Sequence, residues 1–254
     1  MPDPYAVDAQ FYDLIHGSGG DDIGLWLSFA GRTDRPVLEV GTGTGRIALE
    51  LARAGHAVVG VDPSGPMLTI ARGRAEDDAL DVQFIEGAVG DLALEPGHYG
   101  FVLVPADVFL YCADGEAQLA MLRALRTCLT YNGTLAIDLP GPALWLDSTT
   151  NGQALLVHSI EEEDGTLLDV WQLHEDDLGM QTRTLRVAYE RTAPDGSVRR
   201  WLSAHQLRYP YRFEMEYLLA LGGLALQGVY GDYDLGELTN DSERMIAIAT
   251  RRDE

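Results

Sequence analysis

The chain has 254 residues, of which 46% are hydrophobic and 23% are charged, enough apolar material for one globular unit with its own core. Its 40 acidic residues against 18 basic ones give a formal charge of −22. Such a surface repels phosphate backbones and anionic lipid, so we expect neither a nucleic acid nor a membrane as partner. A neutral or cationic small molecule fits the charge better, although a merely solvated acidic surface explains it equally well.

The cysteines and the first residues argue against a metalloprotein, a disulfide-rich protein and a secreted protein. Cys112 and Cys128 are the two cysteines, and neither has a histidine at metal-ligand spacing, so we expect no metal site and no disulfide framework. The first five residues lack the basic-then-apolar plan of a signal peptide, and no apolar stretch is long enough to span a bilayer. We therefore expect a cytoplasmic protein.

The first predicted elements are a helix and a strand that ends in a glycine-rich turn. Apolar residues recur at helical spacing from Ala6 to Ile15, and the segment 17–20 ends that pattern. The run Val37–Val40 suits a buried parallel strand, and three glycines follow it within five residues. Glycines there let the backbone turn sharply and approach a ligand closely.

A helix at 47–54 and a second strand, Val58–Val61, follow the turn, and Asp62 ends that strand. A carboxylate at this position can accept hydrogen bonds from both hydroxyls of a ribose. A dinucleotide fingerprint has its third glycine one residue later, where this chain has Arg46, and its own third glycine is Gly45.

The alternation of strands and helices continues to residue 139. A helix at 66–75 precedes the strands Val82–Ile85 and Phe101–Val104, and Asp114 caps a long helix that we expect Asn132-Gly133 to end. The strand Thr134–Leu139 completes the series. Such alternation predicts a parallel sheet with helices on both faces.

The pattern changes after residue 142 to four strand-like stretches joined by turn signals. They predict an inserted antiparallel sheet and lie at 153–160, 167–175, 182–191 and 198–209. A helix at 213–221 and the strands 226–230 and 245–250 close the chain. We expect two parts: residues 1–141 with 210–254, which would bind a cofactor, and residues 142–209, which would form an inserted β lid or substrate subdomain.

The glycine turn and the acid together resemble the motif of the class I S-adenosylmethionine-dependent methyltransferases. The resemblance implies a Rossmann-like, doubly wound α/β fold whose mostly parallel sheet has seven strands, with S-adenosylmethionine as cofactor. It also implies that Asp62 binds the ribose and that the loop under the cofactor's methionine and ribose consists of Glu39, Gly41, Thr42, Gly43 and Gly45.

The resemblance implies further cofactor contacts. Pro63 and Met67 would wall the adenine, although a helix start and a core methionine explain them equally well. Family members similar to this chain carry Gly-Asp after the third strand. Here Ala88 replaces that Asp, so backbone groups of Ala88 and Val89 would read the adenine amino group. Pro105 begins the loop under the transferable methyl.

Candidate catalytic residues come from three parts of the chain. Tyr12 resembles the tyrosine with which related small-molecule enzymes close a helix over the cofactor, Asp107 follows the fourth strand, and His205 lies on a predicted lid strand. Packing explains Tyr12 equally well, and it explains His205 better than a catalytic role does. Spacing alone does not separate these three from other polar candidates, namely His16, Tyr111, His158, His174, Arg208 and Tyr209.

The inserted sheet is similar to that of small-molecule N-methyltransferases, including glycine, sarcosine and amino-sugar enzymes. We expect methyl transfer to a small-molecule acceptor by in-line displacement, at an amine nitrogen rather than at oxygen, with a homodimer as one candidate assembly. The alternatives are an O-methyltransferase, a nicotinamide-dependent oxidoreductase, against which Arg46 argues, and a non-catalytic nucleoside-binding protein.

Overall fold

The fold is that of a computed structural model, which describes residues 5–17, 20–146 and 149–252. Within these ranges the helices are α1 (Ala9–His16), α2 (Ile23–Ala30), α3 (Arg46–Arg53), α4 (Gly65–Asp77), α5 (Gly115–Cys128), α6 (Pro142–Leu146) and α7 (Arg212–Leu221). The strands are β1 (Val37–Val40), β2 (Val58–Asp62), β3 (Val82–Glu86), β4 (Tyr99–Val104), β5 (Leu129–Pro140), β6 (Ala154–Glu161), β7 (Leu167–Asp177), β8 (Thr182–Thr192), β9 (Val198–Arg208), β10 (Leu224–Tyr230) and β11 (Arg244–Arg251).

The larger sheet has seven strands in the order β10-β11-β5-β4-β1-β2-β3. Strands β1 to β5 pair in parallel, and β11 runs antiparallel to both β5 and β10. Two apolar cores form on the sheet, one that includes residues of α5 and α7 and one that includes residues of α2 and α3. The predicted α/β fold with a seven-stranded, mostly parallel sheet is confirmed.

The smaller sheet is antiparallel, in the order β6-β7-β8-β9, as the turn signals predict. Val187 and Tyr189 point to one face of it, and Phe11 of α1 packs there with its ring 4.3 Å from that of Tyr189. Helix α1 therefore fills the apolar face of the second sheet.

The structure differs from the sequence prediction at α5, which ends earlier, and at α2 and the short α6, which were not predicted. Helix α5 begins after its Asp114 cap, as expected, but ends at Cys128, and Leu129 already belongs to β5. The Asn132-Gly133 pair lies in an irregular stretch, where the β4–β5 register jumps between Tyr99 and Phe101, and does not end the helix. Helix α2 was not predicted, because its residues are apolar on nearly every side and show little amphipathic period. Within the described part of the chain, no helix has the length and apolar character needed to cross a bilayer.

Candidate active site

The glycine-rich turn after β1 requires backbone conformations that side chains resist. Gly41, Gly43 and Gly45 have φ of +73°, +55° and +84°. A Cβ on Gly41 would lie 2.3 Å from the side chain of Val108, whereas one on Gly43 would meet nothing within 4 Å. The turn therefore packs tightly at Gly41 and opens onto free space at Gly43.

Asp62, at the end of β2, faces this turn. Its carboxylate accepts hydrogen bonds from the backbone N–H of Gly43 (2.9 Å) and of Ser64 (2.8 Å), and the residue is 7% exposed. Ser64 also caps α4. These backbone donors hold the carboxylate against the turn, and a carboxylate has acceptor capacity beyond two bonds.

Glu39 is buried beneath the turn. Its Oε2 accepts a 2.7 Å hydrogen bond from the hydroxyl of Thr42, which is also buried. Burial raises the pKa of Glu39 to about 8, against the opposing effects of the Thr42 bond and the Arg46 charge. Both side chains therefore stabilise the loop from below.

The residues expected near the adenine have different surroundings. Pro63 and Ala88 are exposed, while Val89 and Pro105 are buried. Met67 is 1% exposed, which agrees with core packing rather than with the wall of an open pocket. The adenine contacts of these residues stay predictions.

The loop after β4 is strained and is held by an ion-pair network. Ala106 and Asp107 have φ of +48° and +69°, which non-glycine residues rarely adopt. Arg244 of β11 contacts Asp107 and the fully buried Asp138 of β5, each at 2.7 Å, and Tyr233 donates a 3.1 Å hydrogen bond to Asp138. Burial raises the pKa of Asp107, and Arg244 opposes that rise. The network fixes the carboxylate of Asp107 in place.

Helix α1 connects the second sheet to the glycine turn. Asp13 accepts a 2.8 Å hydrogen bond from the hydroxyl of Thr44 and pairs with Arg74 at 2.9 Å. Burial raises the pKa of Tyr12, the residue before Asp13, to about 12, against the charge of Arg46. Glu39, Asp107 and Asp13 add smaller rises to the pKa of Tyr12.

His205 lies on the inner face of the second sheet and is 4% exposed. Its Nε2 is 3.0 Å from Oδ2 of Asp8, just before α1. The other oxygen of Asp8 accepts hydrogen bonds from the hydroxyls of Tyr189 (2.7 Å) and Ser203 (2.6 Å). Burial raises the pKa of Asp8, but the bonds to His205, Ser203 and Tyr189 outweigh it and leave the pKa below its usual value.

Two further tyrosines join this cluster. The hydroxyl of Tyr111, in the short helical turn Val108–Tyr111, is 3.3 Å from Nδ1 of His205. The ring of Tyr5 lies 5.3 Å from that of Tyr111 and 5.2 Å from that of His205. Burial raises the pKa of Tyr5, and Tyr111, Tyr12 and Asp62 add smaller rises.

Other candidates have structural partners elsewhere. His174 lies 3.9 Å from Asp176, Arg208 pairs with Glu214, and Tyr209 is buried with its ring stacked on that of Trp145. The sequence analysis missed Asp8 and Tyr5, because no local pattern marks residues whose partners lie far along the chain.

Comparison with known proteins supports the fold and the motif. A family model for a methyltransferase domain matches residues 37–133. The cypemycin N-terminal methyltransferase of a Streptomyces species is 28% identical over 99% of this chain and all of its own length. The structure of the CcbJ methyltransferase from Streptomyces caelestis has a TM-score of 0.79 at 26% identity and covers 96% of both chains.

A third protein shares the fold at lower identity. The sugar N-methyltransferase KedS8 from a Streptoalloteichus species has a TM-score of 0.75 at 20% identity, and the match covers 95% of this chain and 93% of that one. The glycine turn at the end of β1, the acid at the end of β2, the antiparallel last strand and the matched family model lead to one conclusion: the chain contains a methyltransferase domain.

Proposed function

We propose that the protein transfers a methyl group from S-adenosylmethionine to an amine nitrogen of a small molecule. The observation that carries this proposal is the cluster of aromatic rings and a carboxylate beside the glycine turn. The rings of Tyr5 and Tyr111 lie 5.3 Å apart, Asp8 lies 3.0 Å from His205, and Val108, at the start of the helical turn that contains Tyr111, packs on Gly41. Aromatic faces and carboxylates attract a cation, and an alkylamine arrives at neutral pH as one.

The described residues fit the cofactor. The open space above Gly43 leaves room for it, and the backbone bonds to Asp62 aim the carboxylate at that space. We assign the ribose hydroxyls to Asp62 and the methionine end to Tyr12. The remaining predicted contacts are Glu39, Gly41, Thr42 and Gly45 beneath the cofactor, Pro63, Met67, Ala88 and Val89 around the adenine, and Pro105 near the methyl. When bound, the cofactor supplies a methyl group on a sulfonium, which a nitrogen lone pair can attack.

The chain's own residues position the acceptor and exclude water from the site. Helix α1 connects the glycine turn, through Asp13, with the second sheet, through Phe11 and Asp8. We therefore assign residues 142–209 to a lid or substrate subdomain that closes with α1 over the acceptor. Effective molarities of about 10⁵ M or more are available from such alignment, so positioning supplies most of the rate.

The relatives support nitrogen as the acceptor atom. One is named for methylation at an N-terminus and another as a sugar N-methyltransferase. An N-terminal α-amine and an amino sugar share a primary or secondary amine on a small polar carrier, and that is the acceptor class we propose for this protein.

A competition between amines and hydroxyl analogues tests the proposal. The purified protein, with S-adenosylmethionine, is offered short peptides with free or acetylated N-termini, and amino sugars paired with their hydroxy analogues. We expect release of S-adenosylhomocysteine and a product 14 Da heavier per methyl group only with the free amines. Methylation of the hydroxyl analogues alone would show an O-methyltransferase and refute the nitrogen assignment. Titration with NADH serves as the control for a nicotinamide site.

A further inference from the structure

We propose that Tyr111 and His205 form a proton relay that removes the proton from the acceptor ammonium, with Asp8 as the residue that positions His205. The inference deepens the proposed function and rests on it. It is carried by the polar contacts that run from Tyr111, in the helical turn whose Val108 packs on Gly41, through His205 to Asp8.

The inner end of this chain has a defined polarity. The hydroxyl of Ser203 donates its hydrogen to Oδ1 of Asp8 at 2.6 Å, and its oxygen lies 3.4 Å from Nε2 of His205, while Oδ2 of Asp8 lies 3.0 Å from the same nitrogen. Both groups face Nε2 as acceptors, so we place the ring hydrogen there. Nδ1 then presents its lone pair to the hydroxyl of Tyr111 at 3.3 Å. Asp8 is itself fixed by Tyr189 and Ser203, so the ring is held in this orientation.

The outer end of the chain lies toward the cofactor site. Tyr111 belongs to the helical turn Val108–Tyr111, and Val108 packs on Gly41 of the glycine turn. Tyr111 donates its hydroxyl hydrogen to Nδ1 of His205, and its oxygen can accept a proton in turn. The titratable groups that face His205 are Asp8 and Tyr5 from the N-terminal segment and Tyr111 from the β4 loop, with Tyr189 reaching it through Asp8.

The proton balance is complete within these residues. An N–H proton of the acceptor passes to the Tyr111 oxygen as Tyr111 gives its own proton to Nδ1 of His205. The amine regains a lone pair, which forms the N–C bond as the C–S bond breaks and its electrons stay on sulfur. Tyr111 ends neutral, and the imidazolium of His205 lies beside the carboxylate of Asp8, which stabilises it because both residues are buried.

The acidity of the acceptor separates a proton relay from a packing role. We compare His205→Gln, Tyr111→Phe and Asp8→Asn with wild type on an alkylamine acceptor and on its β,β-difluoro analogue, whose nitrogen is largely unprotonated at the assay pH. Turnover of the alkylamine should fall about 10²-fold or more, the range typical of a lost general base, and the loss should shrink to a few-fold for the analogue. Equal losses on both acceptors would refute the relay.

Matched controls come from the same chain. His174→Gln changes the histidine that lies across Leu185 from His205 in the same sheet, and Tyr217→Phe changes an exposed tyrosine. Neither control variant should lose more turnover on the alkylamine than on its difluoro analogue. Cofactor affinity measured by calorimetry should stay unchanged in Tyr111→Phe, so that any loss of turnover is not a loss of cofactor.

Nitrogen NMR of the resting protein tests the relay without any acceptor. Histidine labelled with ¹⁵N should show His205, assigned with His205→Gln, as the neutral Nε2–H tautomer. An Nδ1–H tautomer would overturn the relay whatever the acceptor proves to be. Failure of every amine in the competition assay would instead overturn the proposed function, so the two failures are distinguishable.

Discussion

Replacement of Arg244 by Met should destabilise the protein through the carboxylate that it leaves behind. Arg244 contacts Asp138 and Asp107 at 2.7 Å each. The side chain of Asp107 is more than a third exposed, so that pair contributes only about 0–1 kcal/mol. Asp138 is fully buried, and breaking a buried pair on one side costs about 3–5 kcal/mol. We expect a loss of about 3 kcal/mol, or a Tm lower by about 6–12 °C.

The pH dependence identifies Asp138 as the cause. Burial raises the pKa of Asp138 above its usual value, and Arg244 opposes that rise. Because the folded-state pKa is above the unfolded one, protonation favours the native state, and stability falls as pH rises through the folded-state pKa. In Arg244→Met the charge that opposes this rise is gone, so Asp138 is protonated more readily in the folded state. The loss of unfolding free energy relative to wild type should therefore be smaller at acidic pH than at alkaline pH.

Denaturant unfolding of four proteins measures this effect: wild type, Arg244→Met, Asp138→Asn and the double variant. The double variant should recover more than half of the loss, because no buried charge is then left unpaired. A deficit in Arg244→Met below about 1 kcal/mol, or one that does not change with pH, would refute the reasoning.

Three further predictions concern the cofactor site. Asp62→Ala should weaken S-adenosylmethionine binding by about 1–3 kcal/mol in calorimetry, through loss of charge-assisted hydrogen bonds, and unchanged affinity would rule out the ribose contact. Gly41→Ala should lower the Tm more than Gly43→Ala, because only the Cβ at position 41 clashes with Val108. Gly43→Ala should instead weaken cofactor binding, because its methyl group enters the open space. A larger loss of Tm in Gly43→Ala would contradict this geometry. Because the pKa of Glu39 is raised from 4.5 to about 8, the free energy of unfolding should fall as pH rises between these values. Glu39→Gln should flatten this pH dependence in denaturant unfolding. If the variant keeps the wild-type slope, other groups cause the pH dependence.

Local patterns predicted the fold well because each depends on neighbours in sequence. Apolar strands, glycine turns and the Asp114 cap are short-range features, and the structure contains them with boundaries shifted by a few residues. The predicted end of α5 was wrong, although Asn132-Gly133 is a strong local turn signal. Leu129 already pairs with Tyr99 in the sheet, so Asn132-Gly133 lies at the irregularity in the β4–β5 pairing and not at the end of the helix. Tertiary pairing there overrode the local preference.

By itself the sequence predicted a methyltransferase, through the glycine turn and Asp62, which both lie in the 26-residue segment from Val37 to Asp62. Only the tertiary structure brought Asp8 to Tyr189 and Ser203, 181 and 195 residues away, and Tyr111 to His205, 94 residues away. The physical reason is that polar contacts between distant segments have no period or spacing along the chain. They form when α1 packs its apolar side on the second sheet and carries Asp8 into a site where a buried carboxylate must find donors.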